Sequence, residues 1–235
     1  MAAAVKPSRD RRPRGSLSRE VVVEAALALA DAEGLEALSM PNLARRLGCG
    51  VMTIYGHIRD KEDLLDALAQ RGLRDLRLHE PARNTAEDIL LAWGRALRET
   101  LTAHPSLPVV FLSRAVIGPG IFRGLEALLE RLEHAGMPPA VGVHAVYAVL
   151  VYTAGFVAWE VPRTHRQSRE DYASAWRRGF AALPPAAFPL TARVLDRLPE
   201  VAGGEQFEFG LHAMASGLGR ATAPPPMQSS GGSSR

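Results

Sequence analysis

The sequence predicts an all-α fold. Three observations predict it. Apolar residues recur at i, i+3, i+4 and i+7 along nearly the whole chain. No stretch of five or more residues alternates apolar and polar with β-branched enrichment, so strands find no support. Capping residues punctuate the periodic segments, with Ser, Thr or Asp at the starts and Gly or Pro at the stops.

The first helix is expected over Ser18–Glu33. Ser18 is its N-cap, Gly34 lies just past its end, and Val22, Ala26, Leu29 and Ala30 share one face. Ser39 caps a short second helix with Pro41 in the first turn, where a missing N–H costs little. Leu43, Ala44 and Leu47 form its inner stripe and Gly48 stops it. A third helix is expected over Val51–His57. Asp60 caps a fourth, with Asp63 placed as in a capping box, and the helix is expected to reach His79 before Pro81. Helices follow over Thr85–Ala103, a short piece after Pro105, Ile121–His134 and Ala140–Glu160. Residues 166–182 and 186–198 read as helical, and a last helix spans Glu205–Leu218. These elements divide into a head over 18–65 and a body over 66–220, with a disordered basic arm over 1–17 and a disordered tail over 221–235.

The charge is lopsided. The formal net charge is only +3, yet residues 1–19 hold six of the 28 basic residues (Lys6, Arg9, Arg11, Arg12, Arg14 and Arg19) against one acid, Asp10. A weakly charged chain with a basic head suits contact with an anion at one end. Cys49 is the single cysteine, which excludes an internal disulfide and a Cys-based zinc or iron–sulfur site. It reads as a small turn residue. The N-terminus lacks the apolar run of a signal peptide, and a cytoplasmic location is expected. Gly136 to Trp159 contains no Asp, Glu, Lys or Arg. The polar His144, Tyr147, Tyr152 and Thr153 within it, and the absence of a basic anchor, favour a buried helix or dimer interface over a membrane span. Enzyme motifs are missing: GPGIFRG (118–124) has the wrong glycine spacing for a dinucleotide loop, and no catalytic residue, cofactor or metal site is called for.

Residues 39–58, SMPNLARRLGCGVMTIYGHI, carry the chemistry. Two short helices joined by Gly48-Cys49-Gly50 have helix-turn-helix geometry. Thr53, Tyr55 and His57 offer hydroxyls and an imidazole suited to phosphates or base edges. Arg45 and Arg46 lie on the outer face of the supporting helix, and Lys61 stands at the start of the fourth, where free N–H groups also favour a phosphate. Ser39, Val51 and Met52 complete the candidate DNA-contacting set. Each has a plainer alternative: Tyr55 a half-buried core aromatic, His57 a helix cap, the two arginines solvated charge.

The run from Val22 to Leu68 resembles the DNA-binding domain of the TetR family of transcriptional regulators. AALALADAEG (25–34), LARRLG (43–48) and TIYGHIRDKEDLLDAL (53–68) carry the likeness, and the spacing of Tyr55, His57 and Lys61 is its most specific part. The resemblance implies a three-helix head, followed by a larger helical body, whose third helix enters the major groove, with Thr53, Tyr55, His57 and Lys61 as contacts. Pro41 and Gly56 depart from the family pattern, so base preference does not carry over. FEFGLHAMASGL (207–218) and VAWE (157–160) are similar to the tetracycline-repressor branch. That similarity implies a homodimer through a four-helix bundle and a ligand cavity in each subunit.

The expected function is a ligand-responsive repressor that a small-molecule effector releases from a palindromic double-stranded DNA operator. The candidate effector walls are Trp93, Leu97, Phe111, Phe122, His144, Tyr147, Tyr152, Phe156 and Trp159, which point to a largely apolar molecule. Simple core packing is the alternative for each, and a metal-chelated effector at His104 or His144 is a further one. The competing function is a helical ligand-binding protein or small enzyme with a vestigial regulator head, which predicts no specific DNA binding.

Overall fold

A computed structural model describes residues 17–221 except 79, 82 and 165–167. The arm residues before 17, the tail after 221 and His79 lie outside the described residues. Among those described there are eleven α-helices, two 3-10 segments and no strand. They are α1 (Arg19–Glu33), α2 (Met40–Leu47), α3 (Val51–Tyr55), α4 (Lys61–Asp75), α5 (Ala86–Ala103), α6 (Leu107–Ser113), α7 (Pro119–His134), α8 (Pro139–Thr164), α9 (Arg169–Ala181), α10 (Pro189–Val194) and α11 (Gly204–Leu218).

Local chemistry explains most of the boundaries. Side chains of Ser18, Ser39, Asp60, Thr85 and Ser168 each accept a hydrogen bond from the backbone N–H three residues on. Gly48 ends α2 in the left-handed conformation (φ +67°), which allows the tight turn into α3.

Four expectations shift. α3 stops at Tyr55, because Gly56 takes the cap position and the chain closes through His57 N–H to Ile54 C=O at 2.9 Å. α4 ends at Asp75, where Leu76 turns extended, short of the anticipated His79. The expected helix over 186–198 breaks up: Pro185–Ala187 is 3-10, α10 covers six residues, and Leu195–Val201 is again 3-10 around Pro199. α8 extends beyond Ala140–Glu160 at both ends, and Pro162 is accommodated in its last turn.

Two apolar clusters organise the molecule. One starts in the head with Val22, Leu43, Ile54, Ile58 and Leu64, and runs without a break into Leu68, Leu97, Leu101, Leu107 and Val157 of the body. The head is therefore packed against the body, with no free linker between them. The other joins α5, α7, α8 and α11 around Leu90, Leu128, Val149, Phe207 and Leu211. α8 is long and apolar enough to cross a membrane by length and composition alone, yet α5, α6, α7 and α11 all pack on it.

Candidate nucleic-acid interface and effector region

The reading helix is held from below and open above. Ile54 has no solvent exposure and anchors α3 in the head core, as Ile58 does in the following turn. Two residues before Ile54, Met52 is 80% exposed, and Tyr55 is 47% exposed. Thr53 and Lys61 are exposed, Val51 and His57 half-buried. The side chains of Thr53, Tyr55, His57 and Lys61 make no hydrogen bond or ion pair with any described residue. They form a cluster of unspent donors and acceptors around one short helix. Met52 adds an apolar group of the kind that meets a thymine methyl.

The other sequence candidates are engaged within the chain. The Ser39 hydroxyl accepts from Asn42 N–H at 3.3 Å. Arg45 donates to the Asn42 side-chain carbonyl, and the Asn42 amide donates to Ala37 C=O at 2.7 Å. Arg46 lies 3.8 Å from Glu33, and both are well exposed, so the pair is weak and leaves the guanidinium available.

An ion pair that the sequence did not announce ties the turn after α3 to α1. Arg19, counted above with the basic arm, is the first residue of α1 and forks onto Asp63 of α4. Its Nη1 and Nη2 donate to the two carboxylate oxygens at 3.0 and 2.7 Å. Nη1 also donates to His57 C=O at 2.7 Å. Asp63 accepts in addition from Arg59 N–H at 2.9 Å, and its own N–H donates to Asp60 Oδ1 at 2.8 Å. The segment from His57 to Asp63 is thereby pinned to α1. The Arg19 guanidinium holds the Asp63 carboxyl down at about 2, against the opposing effect of burial. The capping-box position marked Asp63 as a helix-start residue; its partner 44 residues earlier had no sequence signal.

In the body, the nine effector candidates separate. Tyr152, Phe156 and Trp159 come together with Phe207 of α11, at centroid distances of 5.4–6.0 Å. The Tyr152 hydroxyl donates to Phe207 C=O at 2.9 Å. Arg98 lies over the Phe207 ring at 5.0 Å and pairs with the buried Glu160 at 2.7 Å, and Arg163 lies over Trp159 at 4.5 Å. Trp93 donates from its indole to Val146 C=O at 3.3 Å, Leu97 is wholly buried, and Phe111 packs half-buried near the head. His144 and Tyr147 face outward from α8, and Phe122 is 60% exposed on α7.

The larger cavity, about 490 Å³, lies elsewhere. It is a cleft open to solvent, lined by the end of α8, α9, α10 and the second 3-10 segment, with Arg163, Tyr172, Trp176, Phe180 and Leu195 in its walls. None of the nine candidates lines it. Its aromatic wall was legible as Tyr172, Trp176 and Phe180 at i, i+4 and i+8. A smaller cavity of about 280 Å³ lies between Arg77, Glu99, Thr100 and His104. Among the described residues no three His, Cys, Asp or Glu side chains group to hold a metal.

Residues 22–68 match the model of bacterial regulatory proteins of the tetR family, and residues 80–221 that of the tetracyclin repressor-like C-terminal domain. The HTH-type transcriptional repressor DrrR1 of Streptomyces coeruleorubidus is 32% identical over 91% of this chain and 80% of its own length. The class A tetracycline repressor from transposon 1721 of Escherichia coli is 28% identical over 87% of this chain and 91% of its own. Among solved structures, the TetR family protein ActR of Streptomyces coelicolor, in complex with actinorhodin, is 26% identical. It superposes with a TM-score of 0.76 over 87% of this chain and 96% of its own. With both of its regions matched and the helix-turn-helix in place, the chain belongs to the TetR family of DNA-binding transcriptional repressors.

Proposed function

We propose that the chain acts as a cytoplasmic homodimer, through binding alone, repressing from a palindromic operator until a small-molecule effector releases it. The observation that carries this reading is the set of unpartnered polar side chains around α3, Thr53, Tyr55, His57 and Lys61, above the buried Ile54. An HTH dimer reads half-sites about 34–36 Å apart or a multiple of that spacing. Tyr147 and Val151 of α8 and Phe209 of α11 are exposed, an apolar surface suited to a second copy. The head comprises residues 18–65 and the body 66–220, with α4 crossing the boundary.

A largely apolar, aromatic effector suits the cluster of Tyr152, Phe156 and Trp159 and the aromatic cavity under α9. ActR's complex with actinorhodin supports a small-molecule effector. To cut operator affinity by two to three decades, the effector must favour the released state by about 3–4 kcal/mol.

Electrophoretic shift with duplexes selected from a random-sequence library by the wild-type protein is the direct test, titrated with salt. Enrichment of a two-fold-related sequence is expected. Retention of all duplexes alike would refute the regulator reading.

A further inference from the structure

The head is joined to the body through α4 and α1, and the two joints differ in chemistry. α4 is held by close packing and charge. A Cβ on Gly72 would fall 2.3 Å from Leu107 Cδ1, and Arg114 at the end of α6 pairs with Glu62 and Asp66 at 2.9 and 3.0 Å. Glu24 of α1 pairs with Arg71 of α4, and the polar ties between α1 and the α5–α6 turn gather on one carboxylate, Asp31. Its Oδ1 accepts from Ser106 N–H at 3.1 Å and from the Ser106 hydroxyl at 2.7 Å. Its Oδ2 accepts from His104 Nδ1–H at 2.8 Å.

An aspartate is a poor choice at this position on local grounds. Asp31 stands in the last turn of α1, where the helix dipole disfavours negative charge, and its side chain is only 19% exposed. What compensates is supplied entirely by residues 104–106, between α5 and α6. Pro105 stiffens that turn, which closes through Leu107 N–H to His104 C=O at 3.0 Å. The same turn delivers Leu107 against Gly72 of α4. One four-residue turn therefore grips both helices that connect the head to the body. It opens α6, which packs on α8. Behind His104, the 280 Å³ cavity lined by Arg77, Glu99 and Thr100 leaves room for the imidazole to swing away.

From this geometry we infer that Asp31, His104 and Ser106 form a latch that positions the head on the body and so sets the separation of the two heads in the dimer. The inference rests on the homodimer reading above. Asp31 and His104 act here as positioning residues, with no part in touching DNA.

The chain carries its own reporter: Cys49, the single cysteine, lies in the turn between α2 and α3. A nitroxide attached there in the full-length wild-type protein reports head-to-head distance by double electron–electron resonance. With the latch intact, a narrow distance distribution is expected. Asp31→Ala should broaden it about twofold and move its mean by several ångströms, as for a rigid body freed about an interface. His104→Ala, which keeps the Ser106 contacts, should broaden it less, and it serves as the test if Asp31→Ala does not fold. Asp31→Asn should restore the wild-type distribution, since its amide oxygen can accept from Ser106 and its NH2 can donate to the other His104 tautomer. Variants that melt earlier but keep the wild-type distribution would reduce these contacts to a stabilising role and overturn the latch. A wild-type sample with no dipolar modulation would overturn the homodimer reading, and the latch with it.

Discussion

The segment from α2 to the start of α4 and the middle of α8 are both rich in apolar residues, but they orient their side chains by different means. Around α3, polarity sorts inside from outside for every side chain but Met52: Ile54 and Ile58 are buried, while Thr53, Tyr55 and Lys61 stay at the surface. In α8 the sorting fails. Thr153 is wholly buried, whereas Tyr147 and Val151 are more than half exposed. A short helix of mixed composition carries its orientation in its own sequence. A helix that is apolar on every side takes its orientation from the neighbours that reach it first, here α5, α6, α7 and α11.

The sharpest way to break this contrast is inside the head. Ile54→Ala should cost about 2–5 kcal/mol of stability, because the site is fully packed, whereas Met52→Ala should cost well under about 0.5 kcal/mol. Chemical denaturation checks both, and equal costs would show that α3 is not anchored on one side. Next in size, Tyr55→Ala combined with His57→Ala should weaken binding to the selected duplex about 100-fold. The melting temperature should stay close to wild type, as measured by circular dichroism.

The Arg19–Asp63 fork gives the third effect. The Asp63 carboxyl ordinarily titrates at 3.8 and is held here at about 2, a difference corresponding to about 2 kcal/mol. Because the folded value is depressed, that stability is fully present above the ordinary value and is lost as pH falls toward the folded one. Asp63→Asn should therefore lose about 2 kcal/mol at neutral pH and show a shallower acid decline than wild type between about pH 4 and 2. In the body, Tyr152→Phe should remove the hydroxyl's bond to Phe207 C=O and its longer contact with Gln206 C=O, costing about 1 kcal/mol, since the ring stays stacked on Phe207. Smallest of all, Lys61→Ala should leave stability unchanged and lower the salt slope of DNA binding by about 0.9.

How far a role was legible depended on how local its cause is. The caps at Ser18, Ser39, Asp60 and Thr85 act over three residues, and the helix starts they mark appear where expected. Long-range partners were not legible. The capping pattern placed Arg19 in the first helix, but nothing near it marked the carboxylate 44 residues away on which it closes. The grouping of Tyr152, Phe156 and Trp159 followed from helical spacing, but Phe207, which completes the cluster, comes from another helix. The cavity under α9 depends on the short α10 and on the 3-10 segment around Pro199, where periodicity predicted one continuous helix over 186–198.

By itself, the sequence determined the all-α class, the helix-turn-helix with its family, and the surface that α3 offers, because capping, glycine turns and 3.6-residue periodicity act within one or two turns of chain. Only the tertiary structure decided that Arg19 ties the turn after α3 to α1, that Asp31 is satisfied by the α5–α6 turn, and which side of α8 is interior. Those outcomes depend on groups brought together from distant parts of the chain, where the cost of burying charge and leaving polar atoms unpaired selects the partner.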